Sequence, residues 1–439
     1  MKQPDAYDVL LIGSGLSSLW LATELLRSNK GAKIAILEQY KALGGRTTTF
    51  HTEVPGIGPV QWEGGAARIS SEHKLLLDLL KRYKLHTVQL SSDSTWQDTY
   101  TSNAEPDIFE SALPTMLAPI RTLSPEILAT HTLRTLLRKV HGSNAAEDYM
   151  DQFPYRAELD LLRADQGLTM FLNEFGNSAS YSIIAEGFSA LVDAMEQDLK
   201  KRGAAFFVHH EFVGVNQNSP NGDAVVRCLV GSPTEGTSRT SVEFQARKVV
   251  LALPPAALGR IPQFAKWPML RRLQMAPLLR FYGVFPLDET GTPWFAGLGK
   301  RITSTPIRFM IPASEEKGVI QLSYTDSQDT EHWTRLLEKE GADAVGAAMI
   351  QELEKLLGIK IPKPLLVKAH HWKEGAAYWL PGEYSSAEAS REAATRPFPD
   401  LPAVHVCGDS YSLRQAWVEG ALDHAAQLLP LLQRSLKKK

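Results

Sequence analysis

Tyr7–Ser28, YDVLLIGSGLSSLWLATELLRS, is the stretch whose reading decides the fold. Tyr7–Ile12 is an apolar, β-rich run that breaks at GSGLSS and resumes as the helix-period segment LWLATELLRS. A second apolar run, AKIAILE, ends on Glu38. Strand, glycine turn, helix and strand ending in an acid form the βαβ dinucleotide fingerprint of a doubly wound α/β fold. Gly13 supplies the tight turn, and Gly15 lets the backbone approach a pyrophosphate at the helix N-terminus, where Leu16 and Ser17 follow. Glu38, followed by Gln39, occupies the acidic position that accepts from ribose hydroxyls. The third glycine of the pattern is Ser18, small enough for close helix-strand packing.

Working outward, 439 residues exceed one ordinary core, so two or three domains are expected. Lys plus Arg number 47 against 49 Asp plus Glu, which leaves no field to attract nucleic acid or an anionic membrane. Cys228 and Cys407 are too isolated for a disulfide framework or a zinc site, and a reducing compartment fits. A strand-like run beginning at Tyr7 leaves no room for a signal sequence, and no 18-residue apolar run occurs. A cytoplasmic protein is expected, with the terminal KKK a solvated tail. No internal repeat or low-complexity tract is visible.

Gln61–Ser70, QWEGGAARIS, places Gly64, Gly65, Ala66 and Ala67 before one arginine, Arg68. Such a residue either points into water or is presented to an anion in a tight site. The following SSEHKLLLDLLKRYKL reads as an amphipathic helix with Glu72 in its first turn. A mostly helical block is expected from about Ile108 to Leu199. AAFFVHHEFVGV and VVRCLVG read as strands around an SPNGD turn, and ARKVVLALPPAAL as a buried strand stopped by Pro254 and Pro255. Leu278–Leu366 reads as strands interrupted by one helix, DAVGAAMIQELEKLLG; AVHVCGD is a strand and VEGALDHAAQLLPLLQ a helix.

Three separated glycine sites need one explanation: Gly13 with Gly15, GGRTT at Gly44–Thr48, and CGDSYSLRQAWVEGA at Cys407–Ala421. Together they resemble the FAD-binding apparatus of the flavin amine oxidase superfamily, over roughly Asp8 to Leu429. The resemblance implies an α/β fold with a Rossmann-like, GR2-type FAD-binding domain, a mixed-sheet substrate domain and a helical block. The FAD domain would be discontinuous, at residues 1–70, 186–262 and 396–439; residues 71–185 would be the helical, substrate-binding block and 263–395 the substrate-binding sheet. Glu38 would hold the adenosine ribose, Arg46 cofactor phosphate or flavin, and Asp409 the ribitol or phosphate. A helix starting near Val418 would aim its N-terminus at the flavin, where it stabilises negative charge. Gly45, Gly65, Ala66, Ala67, Arg68, Pro254, Gly408, Trp417 and Ala421 complete the implied FAD contacts. HHWKEGAAYWLPG has no cysteine where covalent members attach flavin, so noncovalent FAD is implied.

Within the superfamily Arg68 discriminates. GGAARIS with its helix is similar to the segment by which L-amino-acid oxidases present arginine to the substrate carboxylate, a task that suits the planar guanidinium fork. ALPPAAL, APLLRFYGVF, LSYTDS, HHWKEG and AWVEGAL sharpen the resemblance to the tryptophan oxidases of indole-pigment (violacein) biosynthesis. It implies that Tyr324 joins Arg68 on the carboxylate, that Trp417 walls the substrate with Trp372 or Tyr378, and that an L-amino acid and dioxygen give an imino acid and hydrogen peroxide. The imino acid then hydrolyses or passes to a downstream enzyme. A homodimer is implied by family habit. Arg280 stands where most members carry lysine beside the flavin, which puts dioxygen reactivity in question. No paired-carboxylate arrangement is visible, and a general base is not required; of His370 and His371 at most one can face the site. Asp165 and Glu174 either select a basic side chain or are surface charges on helices. The rival readings are an amine or polyamine oxidase with Arg68 paired to Glu63, a flavoprotein of little turnover, and a protoporphyrinogen-oxidase relative.

Overall fold

A computed structural model describes residues 6–91, 93–98, 105–106, 108–174, 180–217, 222–231 and 239–437. Tyr7–Ile12 is a fully buried strand, parallel to Ile34–Leu37 on one side and to Thr240–Leu251 on the other. Ala205–Phe207 extends the parallel layer beyond Ile34–Leu37. The long strand Thr240–Leu251 changes partners along its length. Thr240–Ala246 pairs antiparallel with Ala224–Val230, whereas Val249–Leu251 pairs parallel with Val404–Val406. Val9 and Leu11 point to one face and Leu10 and Ile12 to the other, each face meeting its own core, which is why the run is apolar without alternation. Three helices, Leu16–Ser28, Phe188–Lys201 and Val418–Leu436, share the Val9 and Leu11 face through Leu19, Leu25, Leu191, Met195 and Leu428.

A second seven-stranded sheet runs in the order Leu366–Trp379, Leu273–Val284, Val319–Asp326, Phe309–Ser314, Lys300–Thr303, Ser94–Gln97, Glu105–Pro106. Its register sets Arg280 directly opposite Tyr324 on one side and His370 on the other. Two helices, Ser327–Glu340 and Ala342–Leu357, cover one face through Trp333, Val345 and Met349 packed on Leu279 and Phe281. Only the second was expected. Ser327–Glu340 buries just Thr330, Trp333 and Thr334, so its apolar stripe is too thin to stand out in the sequence.

Helices Ile108–Leu117, Pro125–Thr130, Leu133–His141, Ser143–Asp151, Ala157–Asp160 and Ala164–Glu174 form the helical block. Helix Phe188–Lys201 continues the mostly helical run expected to about Leu199. Strand Tyr181–Ile184 interrupts it, pairing with Ile69–Ser70 and Thr87–Gln89, and Phe188–Lys201 belongs to the dinucleotide layer. The SPNGD turn lies largely outside the described residues.

Glu72 also departs from expectation, since the helix starts at Lys74, beyond it. The exposed N–H groups of that helix are satisfied from across the fold. Glu419, buried in the C-terminal helix, accepts from Leu75 N at 2.8 Å and Leu76 N at 2.9 Å. Glu174 is not a surface charge: it is buried, 3.1 Å from His73 Nε2 and 3.3 Å from Arg414. Asp165 is held by Arg163.

Candidate active site

One cavity of about 940 Å³ lies between the two sheets and the helical block. Its wall draws on Gly13, Gly15, Leu16 and Ser17 from the first turn and helix, and on Glu38 and Gln39 after the second strand. Gly45 and Arg46 follow, then Gly65, Ala66, Ala67 and Arg68, then Pro254. Gly408, Asp409, Trp417, Val418 and Ala421 close it from the C-terminal segment, and Arg280 and Tyr324 from the second sheet. The residues singled out in the sequence for cofactor and carboxylate thus line a single space, whereas Asp165 and Glu174, offered as selectors of the side chain, do not line it.

The turn geometry explains the glycines. Gly13 has φ +94°, and a Cβ there would sit 2.7 Å from the Ala252 carbonyl oxygen, whereas around Gly15 the space is open. Gly44 bridges Gly15 and donates its N–H to Ser14 O at 3.1 Å, tying the second glycine site to the first. Glu38 accepts from Ser14 N at 3.0 Å, Ser14 Oγ at 2.7 Å and Tyr40 N at 3.0 Å, so its carboxylate is fixed at the cavity edge. Arg46 pairs with Asp409 and donates to Gly375 O at 2.8 Å, joining three distant segments. Helices Leu16–Ser28 and Val418–Leu436 both begin at this cavity, and neither N-cap, Gly15 or Trp417, supplies a capping side chain. Two uncapped helix starts, open glycine backbone and a fixed arginine suit an elongated ligand with a pyrophosphate and a second electron-rich end.

At the other end Arg68 stands among aromatic rings. Its guanidinium carbon lies 5.4 Å from the Tyr155 ring centre, 5.5 Å from that of Tyr181 and 5.7 Å from that of Trp417, and Nη2 donates to Tyr155 Oη at 2.9 Å. Among the described residues no carboxylate lies within ion-pair distance of it. Arg280 is buried, its guanidinium 4.5 Å from the Tyr324 ring centre and 3.4 Å from Tyr282 Oη. Burial works against the Arg280 charge, but Tyr324 and Tyr282 outweigh it and hold its pKa above the usual range. Trp372 and Tyr378 also line the cavity, Trp372 Nε1 donating to Gly64 O at 2.6 Å. The two histidines face apart: His371 lines the cavity, while His370 Nε2 lies 2.9 Å from Trp62 Nε1 and is pushed down to about 4 by burial.

The suggested Glu63 partner of Arg68 is engaged elsewhere. Glu63 accepts from Phe188 N at 2.9 Å and from Thr49 Oγ1, at the start of the helix Phe188–Lys201. Burial raises its carboxyl to about 7, against lowering contributions from Phe188, Thr49 and Arg280. The folded protein thus keeps a proton that the unfolded chain releases at about 4.5, so stability falls as pH rises from there to about 7. Melting temperatures of Glu63→Gln are expected to decline less between pH 5 and pH 8 than those of the wild type. Equal slopes would remove Glu63 from this role. A residual slope remains in the variant because Glu158 and Asp326, also raised by burial to about 8 and about 6, act in the same direction.

Those last two carboxyls correct the expectation that no paired arrangement exists. Both line the cavity, and the Asp326 charge adds to burial in raising the Glu158 carboxyl. Tyr155, Glu158 and Asp326 are among the wall residues not singled out in the sequence. Asp326 lay within the quoted LSYTDS, but nothing local marked it as facing Glu158.

Fold and site define a dinucleotide-cofactor protein in which the cofactor space opens directly into a small-molecule pocket. The chain belongs to the flavin-containing amine oxidoreductases, whose family profile matches residues 14–427. It is 24% identical over 460 residues to the Bacillus subtilis (strain 168) protein named "Putative L-amino-acid oxidase YobN", covering 94% of this chain and 92% of that one. An uncharacterized Acanthamoeba polyphaga mimivirus protein, R188, is 20% identical, over 96% of this chain and 93% of its own length. Among solved structures, a putrescine oxidase redesigned in cofactor binding matches with a TM-score of 0.72 at 17% identity, covering 97% of this chain and 98% of that one. An Exiguobacterium sp. 255-15 protein named "Putative protoporphyrinogen oxidase" matches at 0.73 and 15%, covering 98% and 100%. These likenesses share the fold. Among the described residues no helix is long and apolar enough to cross a membrane.

Proposed function

We propose that this chain is an FAD-dependent L-amino-acid oxidase for large L-amino acids, aromatic ones such as L-tryptophan first. The observation that carries this reading is Arg68: a cation in an aromatic enclosure, without a carboxylate at ion-pair distance among the described residues, on the same cavity as the dinucleotide turn. A partly buried cation facing a cavity calls for a counter-ion, and a substrate carboxylate supplies one with two charge-assisted hydrogen bonds. The relative named as an L-amino-acid oxidase supports the same reading.

Arg68 and Tyr324 hold the carboxylate, which fixes Cα relative to the cofactor end of the cavity. Trp417, Trp372 and Tyr378 wall a dry space that favours the neutral form of the substrate amine over the ammonium. Arg280 keeps a fixed positive charge beside Tyr324, which a lysine could give up by losing its proton. Bound FAD would take a hydride from Cα and pass electrons to dioxygen, so that an imino acid and hydrogen peroxide leave. Noncovalent attachment fits a strand Leu366–Trp379 without cysteine and a Cys407 thiol that burial raises to about 12.

A second reading, an amine oxidase, is favoured by the buried Glu158 and Asp326 carboxyls, which could hold an ammonium group. Anaerobic titration of the yellow protein with the twenty L-amino acids and a set of polyamines, followed near 450 nm, separates the two. Bleaching by amino acids is expected. Bleaching by polyamines alone would establish the amine oxidase, and no bleaching by either would refute both.

A further inference from the structure

Glu158 is a buried wall residue whose chemistry is left over once carboxylate and cofactor are placed. It sits in the short helix Ala157–Asp160, which Asp326 pins from the neighbouring sheet by accepting from Arg156 N and Ala157 N, both at 2.7 Å. Its own Oε1 accepts from Tyr378 Oη at 3.0 Å. Oε2 is buried without a hydrogen-bond partner, on a residue that lines the cavity. Leaving such an atom unmatched is costly, and both neighbouring attachments hold it in place, so it cannot turn away to find water. The cavity that Glu158 lines is the nearest space able to supply the partner it lacks.

We propose that Glu158 is a specificity-determining residue whose Oε2 accepts a hydrogen bond from an N–H group on the substrate's side chain. This rests on the amino-acid oxidase reading above. The side-chain end is assigned because Glu158 is contributed by the helical block, whereas the carboxylate anchor Arg68 and the cofactor walls come from the other segments. Tyr155, three residues earlier, meets Arg68 through its hydroxyl, so this segment adjoins the carboxylate anchor as well as carrying Glu158. The substrates of this class are amino acids with an indole N–H, an ammonium or a guanidinium; hydrocarbon side chains of equal size are disfavoured because they strand Oε2. Burial and the nearby Asp326 charge raise the Glu158 carboxyl above its usual range, and an N–H donor brought to Oε2 offsets both by favouring the ionised form.

The test uses matched pairs on the flavin-loaded protein: L-tryptophan against 1-methyl-L-tryptophan, and L-lysine against L-norleucine. Anaerobic rapid mixing gives a dissociation constant and a limiting flavin-reduction rate for each. In the wild type, one pair is expected to differ roughly 10- to 100-fold in dissociation constant, with the N–H bearer tighter. The indole pair identifies a neutral donor and the lysine pair a cation. In Glu158→Leu that ratio should fall towards one, and Glu158→Gln, which retains an acceptor, should keep much of the indole ratio and lose the lysine ratio. Three results would overturn the proposal: no discrimination in either wild-type pair, a ratio that persists in Glu158→Leu, or an equal loss for all four compounds, which would place Glu158 at the α-amine or in the fold. Should Glu158→Leu fail to fold, the wild-type pairs and Glu158→Gln decide. Failure of the oxidase reading itself is seen separately, as no reduction of the wild-type flavin by any amino acid.

Discussion

Replacing Arg68 by methionine is expected to raise the apparent KM for L-amino acids roughly 100- to 1,000-fold, the scale of losing one partner of a buried, hydrogen-bonded charge pair. The flavin absorbance of the variant should be retained, because Arg68 leans on Tyr155, Tyr181 and Trp417 rather than on the glycine turns. Arg68→Lys should recover only part of the loss, since an ammonium cannot present two parallel donors to a carboxylate. Steady-state kinetics with one good amino acid suffices. An unchanged KM accompanied by a large fall in melting temperature would make Arg68 a structural residue and return the protein to the amine oxidase reading.

The second large effect concerns Gly65. An alanine there would set its Cβ 1.9 Å from the Arg46 carbonyl oxygen. That oxygen cannot retreat cheaply. Ala66 N donates to it at 3.0 Å, and Arg46 is anchored in turn by Asp409 and by Gly375 O. Relief would have to move the arginine that joins the first, middle and last parts of the chain around the cofactor space. Gly65→Ala is expected to cost more than about 3 kcal/mol, at the upper end for overpacking, and to yield protein that is colourless after purification. Gly15→Ala is the contrast, since a Cβ at Gly15 meets nothing within 4 Å of protein and would intrude only on a ligand. It should leave the apoprotein melting temperature nearly unchanged while weakening FAD binding. A yellow Gly65→Ala protein of normal stability would show that the Arg46 backbone is free to shift.

The dinucleotide turn was legible because each of its requirements is local: an all-apolar strand, a glycine with positive φ, a small residue at Ser18 and an acid after the next strand. Arg68 was legible for the same reason, as one long side chain among four tiny ones. What stayed hidden is what the second sheet assembles. Glu158 and Asp326 sit far apart in the chain and come together only because the end of strand Val319–Asp326 caps the helix Ala157–Asp160. Glu174 read as a helix charge because its partner, His73, lies in another segment. Glu419 was quoted within AWVEGAL, but no pattern in the sequence says that it will satisfy the start of the helix Lys74–Tyr83. Helix Ser327–Glu340 was missed for the opposite reason: the local signal exists but is weak, since a polar helix lying on a sheet needs little apolar surface.

The partner change along Thr240–Leu251 bears on how the protein is made. Its end, Val249–Leu251, waits for Val404–Val406 to complete the layer, and the helix start at Val418 closes the cavity later still. At about 5–20 residues per second, a ribosome that has already emitted the glycine turn still needs tens of seconds before those segments emerge. For that interval the nascent chain carries the first half of a grip with nothing to close it. The cavity wall that Gly408 to Ala421 completes can therefore form only after almost the whole chain has emerged.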